Sequence, residues 1–270
     1  MKKTSLLLLS TAVLAATLLP QNVNADPPPV AEITWGSAQN ITADSDVSTL
    51  GTLLYAYNIG ASGVAGTTVN TVPFTAFVFP EFTSNTATMG DVTFTENPSN
   101  LNSYNFLGHG SGSFAALSSG YQALLGSGGS AGAPTTITVE LGGLTTGQDY
   151  LVQWWSNVSI STGGTFQQTI ASGNPSSVTL GSNPTYTEGA LGQYVIGTFT
   201  AISPFATFGL SGTGIGEAFP LINAFQVRNI TSAAVPEPGQ VAASLLLLAG
   251  IGGYVWMKRR KAAKSATSVA

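Results

Sequence analysis

The chain has 270 residues, 43% of them hydrophobic and only 7% charged, with a formal net charge of −4. Seven of its eight bases lie at the two ends, so residues 27–235 hold one base, Arg228, against ten acids; nucleic-acid binding, which needs cations to displace counterions from phosphate, is excluded. The absence of cysteine removes disulfides, zinc–thiolate sites and cysteine nucleophiles.

The N-terminus reads as a secretory signal. Lys2 and Lys3 form a basic n-region and Leu6 to Leu19 an apolar h-region. Val23 and Ala25 stand at −3 and −1 of a cleavage site, so residues 1–25 are removed and the mature chain begins at Asp26. An uncleaved anchor is the alternative, but the apolar run is short for a span and Pro20 follows it. Pro27-Pro28-Pro29 then makes a stiff, extended spacer.

Residues 26–232 read as one all-β domain outside the cytoplasm. Short β-prone runs are predicted at 52–58, 74–79, 91–95, 135–141, 149–155, 165–170, 193–201, 206–211 and 221–228, punctuated by Gly, Ser, Thr, Asn and Pro. Ile137, Val139 and Leu141 alternate with Thr136, Thr138 and Glu140, the period of a half-buried strand. One short helix is predicted at Ser119–Leu125. Many short strands with regular turns argue for a sandwich or barrel. Leu144, Gly147 and Tyr150, in "LTTGQDY", have the spacing of a tyrosine corner, in which a Tyr hydroxyl ties a crossover to nearby backbone.

Candidate sites are few. Asp44 and Asp46 alternate as two carboxylates, a candidate pair for a structural calcium, against an Asx-type turn. His109 is the sole histidine and needs a nucleophile and an orienting acid to act as a base. Gly128–Gly132 matches G-x-S-x-G with Ser130 in the nucleophile position, but the small residues around it predict a flexible loop. "GTGIG" at 212–216 has the glycines of a phosphate loop without a lysine, and reads as a turn. Trp35, Tyr55, Tyr57, Tyr104, Trp154 and Trp155 are the aromatic candidates for sugar stacking. Trp154 and Trp155 are adjacent on a strand and point to opposite faces, so one belongs in the core and the other is expected at the surface as a ligand contact. Two packed tryptophans are the competing reading.

The tail, residues 233–270, has three parts. Val235-Pro236-Glu237-Pro238-Gly239 comes first. Val241 to Met257 is an uncharged apolar run of 17 residues, about 25 Å as a helix and just enough for a thin bilayer. Lys258, Arg259, Arg260 and Lys261 follow, which the positive-inside rule places in the cytoplasm along with the rest of 258–270. A buried core helix is the alternative, but this run is apolar on every face and ends in KRRK. The order of parts resembles the PEP-CTERM sorting signal of Gram-negative envelope proteins. The resemblance implies an exosortase-type protease as partner, Pro236-Glu237-Pro238 as its recognition site, removal of the tail, and a destination at the cell surface or extracellular matrix. "DSDVSTLGTLLYAYNIG", "LGGLTTGQDYLVQWW", "GQYVIGTFTA" and "INAFQVR" resemble ectodomains of planctomycete-like envelope proteins. That likeness implies a jelly roll similar to galactose-binding-like domains, in which a structural calcium is common.

Three functions stay open at this point. The leading expectation is an exported, non-catalytic surface or matrix protein with polysaccharide as candidate ligand. The alternatives are an envelope glycoside hydrolase using two of the ten acids, and a purely structural surface protein.

Overall fold

The computed structural model describes residues 32–97, 99–131, 136–160, 167–172, 176–213 and 219–231. The signal segment with its Ala25–Asp26 cleavage site and the proline spacer lie outside the described residues. So does the whole tail, including Val235, Pro236, Glu237, Pro238, Lys258, Arg259 and Arg260. Among the described residues no helix is long and apolar enough to cross a membrane.

All nine predicted strands form, together with short ones the sequence hid. In chain order they are β1 Thr34–Trp35, β2 Gln39–Asn40, β3 Thr52–Gly60, β4 Thr67–Val69, β5 Val72–Val78, β6 Thr86–Met89, β7 Val92–Asn97, β8 Leu101–Tyr104, β9 Gly128–Ala131, β10 Thr136–Leu141, β11 Asp149–Ser156, β12 Gln167–Ser172, β13 Ser176–Gly181, β14 Gln193–Thr200, β15 Ala206–Thr213, β16 Leu221–Ile222 and β17 Ala224–Asn229. Two helices, α1 Gly112–Ala115 and α2 Ser119–Leu125, and a 3-10 turn at Asp44–Asp46 interrupt them.

The strands build a sandwich. One sheet runs β1-β14-β11-β17-β3-β5-β4, with β2 also on β14; the facing sheet runs β13-β12-β15-β10-β7-β6. The long pairings are antiparallel, and β3 with β5 is parallel. A small third sheet, β16-β9-β8, closes one end. The alternation in β10 is observed as read: Ile137, Val139 and Leu141 are fully buried and Thr136, Thr138 and Glu140 are exposed. These apolar faces meet Trp154, Phe225, Phe77 and Phe79 from the larger sheet in the main core.

The larger sheet is buried over part of its second face as well, along β11 and β17 and the adjoining ends of β3 and β5. Helices α1 and α2 cover it, and Phe114, Tyr121, Leu124 and Leu125 pack on Ala56, Phe74, Trp155 and Ala224. Ser118 starts α2 by accepting the Tyr121 amide at 3.2 Å. The predicted strand at 221–228 breaks at Asn223, because its side chain is needed elsewhere. Asn223 Nδ2 donates to the carbonyls of Leu125, Ser127 and Asn157 at 3.0, 2.7 and 3.1 Å, and Oδ1 accepts the Asn157 amide at 2.6 Å. That buried amide ties the end of α2 to both neighbouring sheets.

The tyrosine corner is present. Tyr150 is buried, and its hydroxyl accepts the Thr145 amide at 2.8 Å. Gly147 takes φ +83°, a left-handed turn that a side chain would strain, and its amide bonds Ala201 O at 2.7 Å.

Candidate functional site

The tryptophan expectation is corrected. Trp154 and Trp155 do point to opposite faces of β11, but both are 0% exposed. Trp154 packs edge-on to Phe208 in the main core. Trp155 lies under α2 and donates its indole N–H to the Tyr121 hydroxyl at 2.9 Å. The cause is the helical layer, which turns a half-buried sheet into one buried on both sides. Neither ring offers a face to a ligand. Trp35 and Tyr57 are core residues too, and Tyr55 is half-buried.

The calcium expectation is corrected as well. Asp46 folds back on its own turn: its carboxylate accepts the amides of Thr42 and Ala43 at 2.6 and 2.9 Å and the Thr42 hydroxyl at 2.9 Å. Asp44 Oδ1 accepts the Ser118 hydroxyl at 2.7 Å, joining this turn to the start of α2. Calcium takes six to eight oxygens, whereas Asp46 is filled by three donors of its own turn and Asp44 is engaged by Ser118 through Oδ1, so the pair forms a local turn and no shared cation shell. Among the described residues no three His, Cys, Asp or Glu side chains gather as a metal group.

His109 lies between two groups. Its Nδ1 is 2.9 Å from the Ser111 hydroxyl, and its Nε2 is 3.8 Å from Glu188 Oε2. The serine bond is a local contact two residues away, the acid is 55% exposed, and 3.8 Å is beyond hydrogen-bond reach. Ser130, read as lying in a flexible loop, sits instead in strand β9 and is 2% exposed. Its hydroxyl bonds the Tyr104 hydroxyl at 3.3 Å, so it is part of a wall and not of a nucleophile elbow. Gly212 and Thr213 end β15, and residues 214–216 of the glycine turn lie outside the described residues.

The arrangement best suited to a ligand was not singled out in the sequence. Phe106 follows β8 and is 61% exposed. Both of its neighbours are pinned. Asn105 accepts the Ala61 amide at 2.9 Å and donates to Ser62 O at 3.0 Å. Leu107 is buried, its amide bonds Gly126 O and its carbonyl accepts the Ser159 amide, both at 2.8 Å. With the backbone fixed on either side, the Phe106 ring stands outward as a ridge, braced edge-on by Tyr104 at 5.6 Å.

A hollow opens on each side of this ridge. One, about 280 Å³, is lined by Tyr104, Leu107, Ser130, Val158, Phe219 and Leu221 as well as Phe106 and Ile160. The other, about 520 Å³, is rimmed by Asn105, Ser119, Gln122 and Ser127. Neither has a charged lining residue among the described residues. The Asn105 amide is committed to backbone, whereas Gln122 Oε1 and the Ser119 hydroxyl have no partner among the described residues. A separate, larger hollow of about 800 Å³ is lined by Glu32 and Asp149 among threonines. There the Thr200 hydroxyl donates to Asp149 at 2.6 Å.

No protein-family model matches the chain, and no curated protein does. A solved structure of carbohydrate-binding modules from the β-sandwich superfamily aligns with 72% of this chain and 99% of its own. Identity there is 11% and the TM-score 0.16, a likeness too small to carry an argument. The fold is an all-β sandwich with a helical cover on one face.

Proposed function

We propose that this chain is an exported, non-catalytic surface or matrix protein whose sandwich binds a neutral polysaccharide at the Phe106 ridge. The observation that carries the reading is an exposed aromatic ring, rigidly held, between two uncharged hollows. Sugar rings lay their C–H faces on aromatic rings and bond their hydroxyls to amide and hydroxyl groups. Phe106 supplies the first element, and Gln122 and Ser119 the second. The test is affinity electrophoresis of the full chain through gels carrying neutral polysaccharides. Retardation in at least one is expected; unchanged mobility of the folded protein in all of them contradicts the reading.

The same proposal includes the addresses. The signal segment and the PEP-CTERM-like tail fit export, recognition by an exosortase-type protease and display on the outer side of a membrane. The finer fold assignment, a galactose-binding-like jelly roll, belongs here too, supported by the tyrosine corner and the long antiparallel pairings. Mass measurement of the protein recovered from the envelope is expected to give a chain beginning at Asp26; an envelope-bound chain that keeps Met1 counts against it.

A second reading, a glycoside hydrolase, has one observation in its favour: Glu32 and Asp149 line the same hollow. It requires release of reducing ends from a polysaccharide, lost in Asp149→Asn. Binding without such release rules it out.

A further inference from the structure

The hollow beside Tyr104 contains a polar group that no described residue fully uses. Asn102 Nδ2 donates to the Tyr104 hydroxyl at 2.7 Å, and the Ser130 hydroxyl donates to it at 3.3 Å. Asn102 and Ser130 are 7% and 2% exposed, so this trio forms a fixed wall. A phenol has one hydrogen to give, and no described residue accepts it. If Ser130 accepts from Tyr104 instead, the Ser130 hydrogen is the one left over. Either way, one hydroxyl hydrogen has no acceptor among the described residues and faces the hollow's occupant.

The other lining residues are apolar: Phe106, Leu107, Val158, Ile160, Phe219 and Leu221. At about 280 Å³ the space falls below the range of cavities for drug-sized ligands, about 300–1,000 Å³. A bare sugar ring fits this chemistry poorly, because its hydroxyls would lose water against aliphatic walls and gain one donor. A charged substituent fits worse, since no charged side chain among the described residues lines the space. What fits is a small apolar group joined to one acceptor oxygen.

We infer that this hollow is a subsite for the acetyl group of an acetylated, neutral glycan. The methyl packs against Val158, Ile160 and Leu221, and the carbonyl oxygen accepts the spare hydrogen of the Tyr104–Ser130 pair. The sugar ring bearing the acetyl then lies over Phe106. This rests on the glycan reading above and names its substrate class.

The test is calorimetric titration of the full chain with chitohexaose and cellohexaose. Both are neutral and β-1,4-linked; they differ at C2, acetamido in one and hydroxyl in the other. Chitohexaose is expected to bind about tenfold more tightly, the worth of one satisfied buried hydrogen bond with its packing. Tyr104→Phe is expected to shrink that preference to about twofold; because it also strips the buried Asn102 and Ser130 donors of their acceptor, its melting temperature is expected to fall, and the two sugars are compared on the same folded variant so that only their ratio is read. Equal affinity of the natural chain for the two sugars overturns the acetyl subsite while leaving glycan binding intact. A preference that survives in both Tyr104→Phe and Ser130→Ala overturns the assigned donor. Failure to bind chitohexaose overturns this subsite, whereas the glycan reading itself falls only if no neutral polysaccharide retards the folded protein.

Discussion

Arg228 is the single base between residue 4 and residue 257, and it is 6% exposed. It has no carboxylate partner among the bonds it makes. Its Nε donates to Leu50 O at 2.7 Å, its Nη2 to Thr49 O and Gly51 O at 3.1 and 3.0 Å, and its Nη1 to Gln226 Oε1 at 3.1 Å. Burial lowers its pKa from the usual arginine value, yet arginine stays charged at neutral pH. The residue is therefore a clamp that holds residues 49–51 on the sheet through carbonyl oxygens. Arg228→Met is expected to cost about 3 kcal/mol, since hydrogen bonds to a charged group are worth about 1.5–3 kcal/mol each and some of the freed carbonyls regain water. Urea unfolding measures it, and a loss below about 1 kcal/mol would contradict the clamp. At this scale the sequence was only partly legible. Tyr150 announced its bond through local spacing. The fate of Trp155 depended on a helix 30 residues away, and that of Phe106 on turns at 61–62 and 126, so neither could be seen locally.

Among the elements, the long strands were legible because their own residues alternate, and α2 because Ser118 precedes an apolar turn. Strand β9 was not. Gly128-Gly129-Ser130-Ala131 has the composition of a loop, yet it pairs with β8 and β16 and is buried throughout. The reason is steric and lies elsewhere in the chain: a Cβ at Gly129 would run into the Phe79 ring and come within 2.9 Å of Ile59. Small residues let this strand approach the main core closely. Gly129→Val is expected to destabilise the protein by about 1–3 kcal/mol through overpacking, read as a lower urea midpoint. A flexible loop at this position would accept the same substitution without cost. The strand also carries Ser130, so the closing sheet that the sequence concealed is the element that builds the candidate acetyl subsite.

For the whole molecule, low charge and buried phenols set the response to pH. Burial, with a further push from Asp46, holds the Tyr121 hydroxyl well above its ordinary value of 10.0, and burial raises Tyr57 in the same direction. A group whose folded-state pKa is raised stabilises the fold below its unfolded-state value, and that stability is lost as pH climbs past it. Stability is thus expected to fall above about pH 10, with phenolate absorbance appearing together with the loss of β-sheet circular dichroism. Phenolate formation on an intact fold at these two positions would contradict the packing. The central claim is that recognition belongs to the Phe106 ridge and not to the tryptophans of β11. It is tested most directly by equilibrium titration of the natural chain and Phe106→Ala with whichever neutral polysaccharide retards the protein. A loss of tenfold or more in affinity at unchanged melting temperature is predicted, in line with about 1.4 kcal/mol for one lost contact. Equal affinity of the two chains would contradict it.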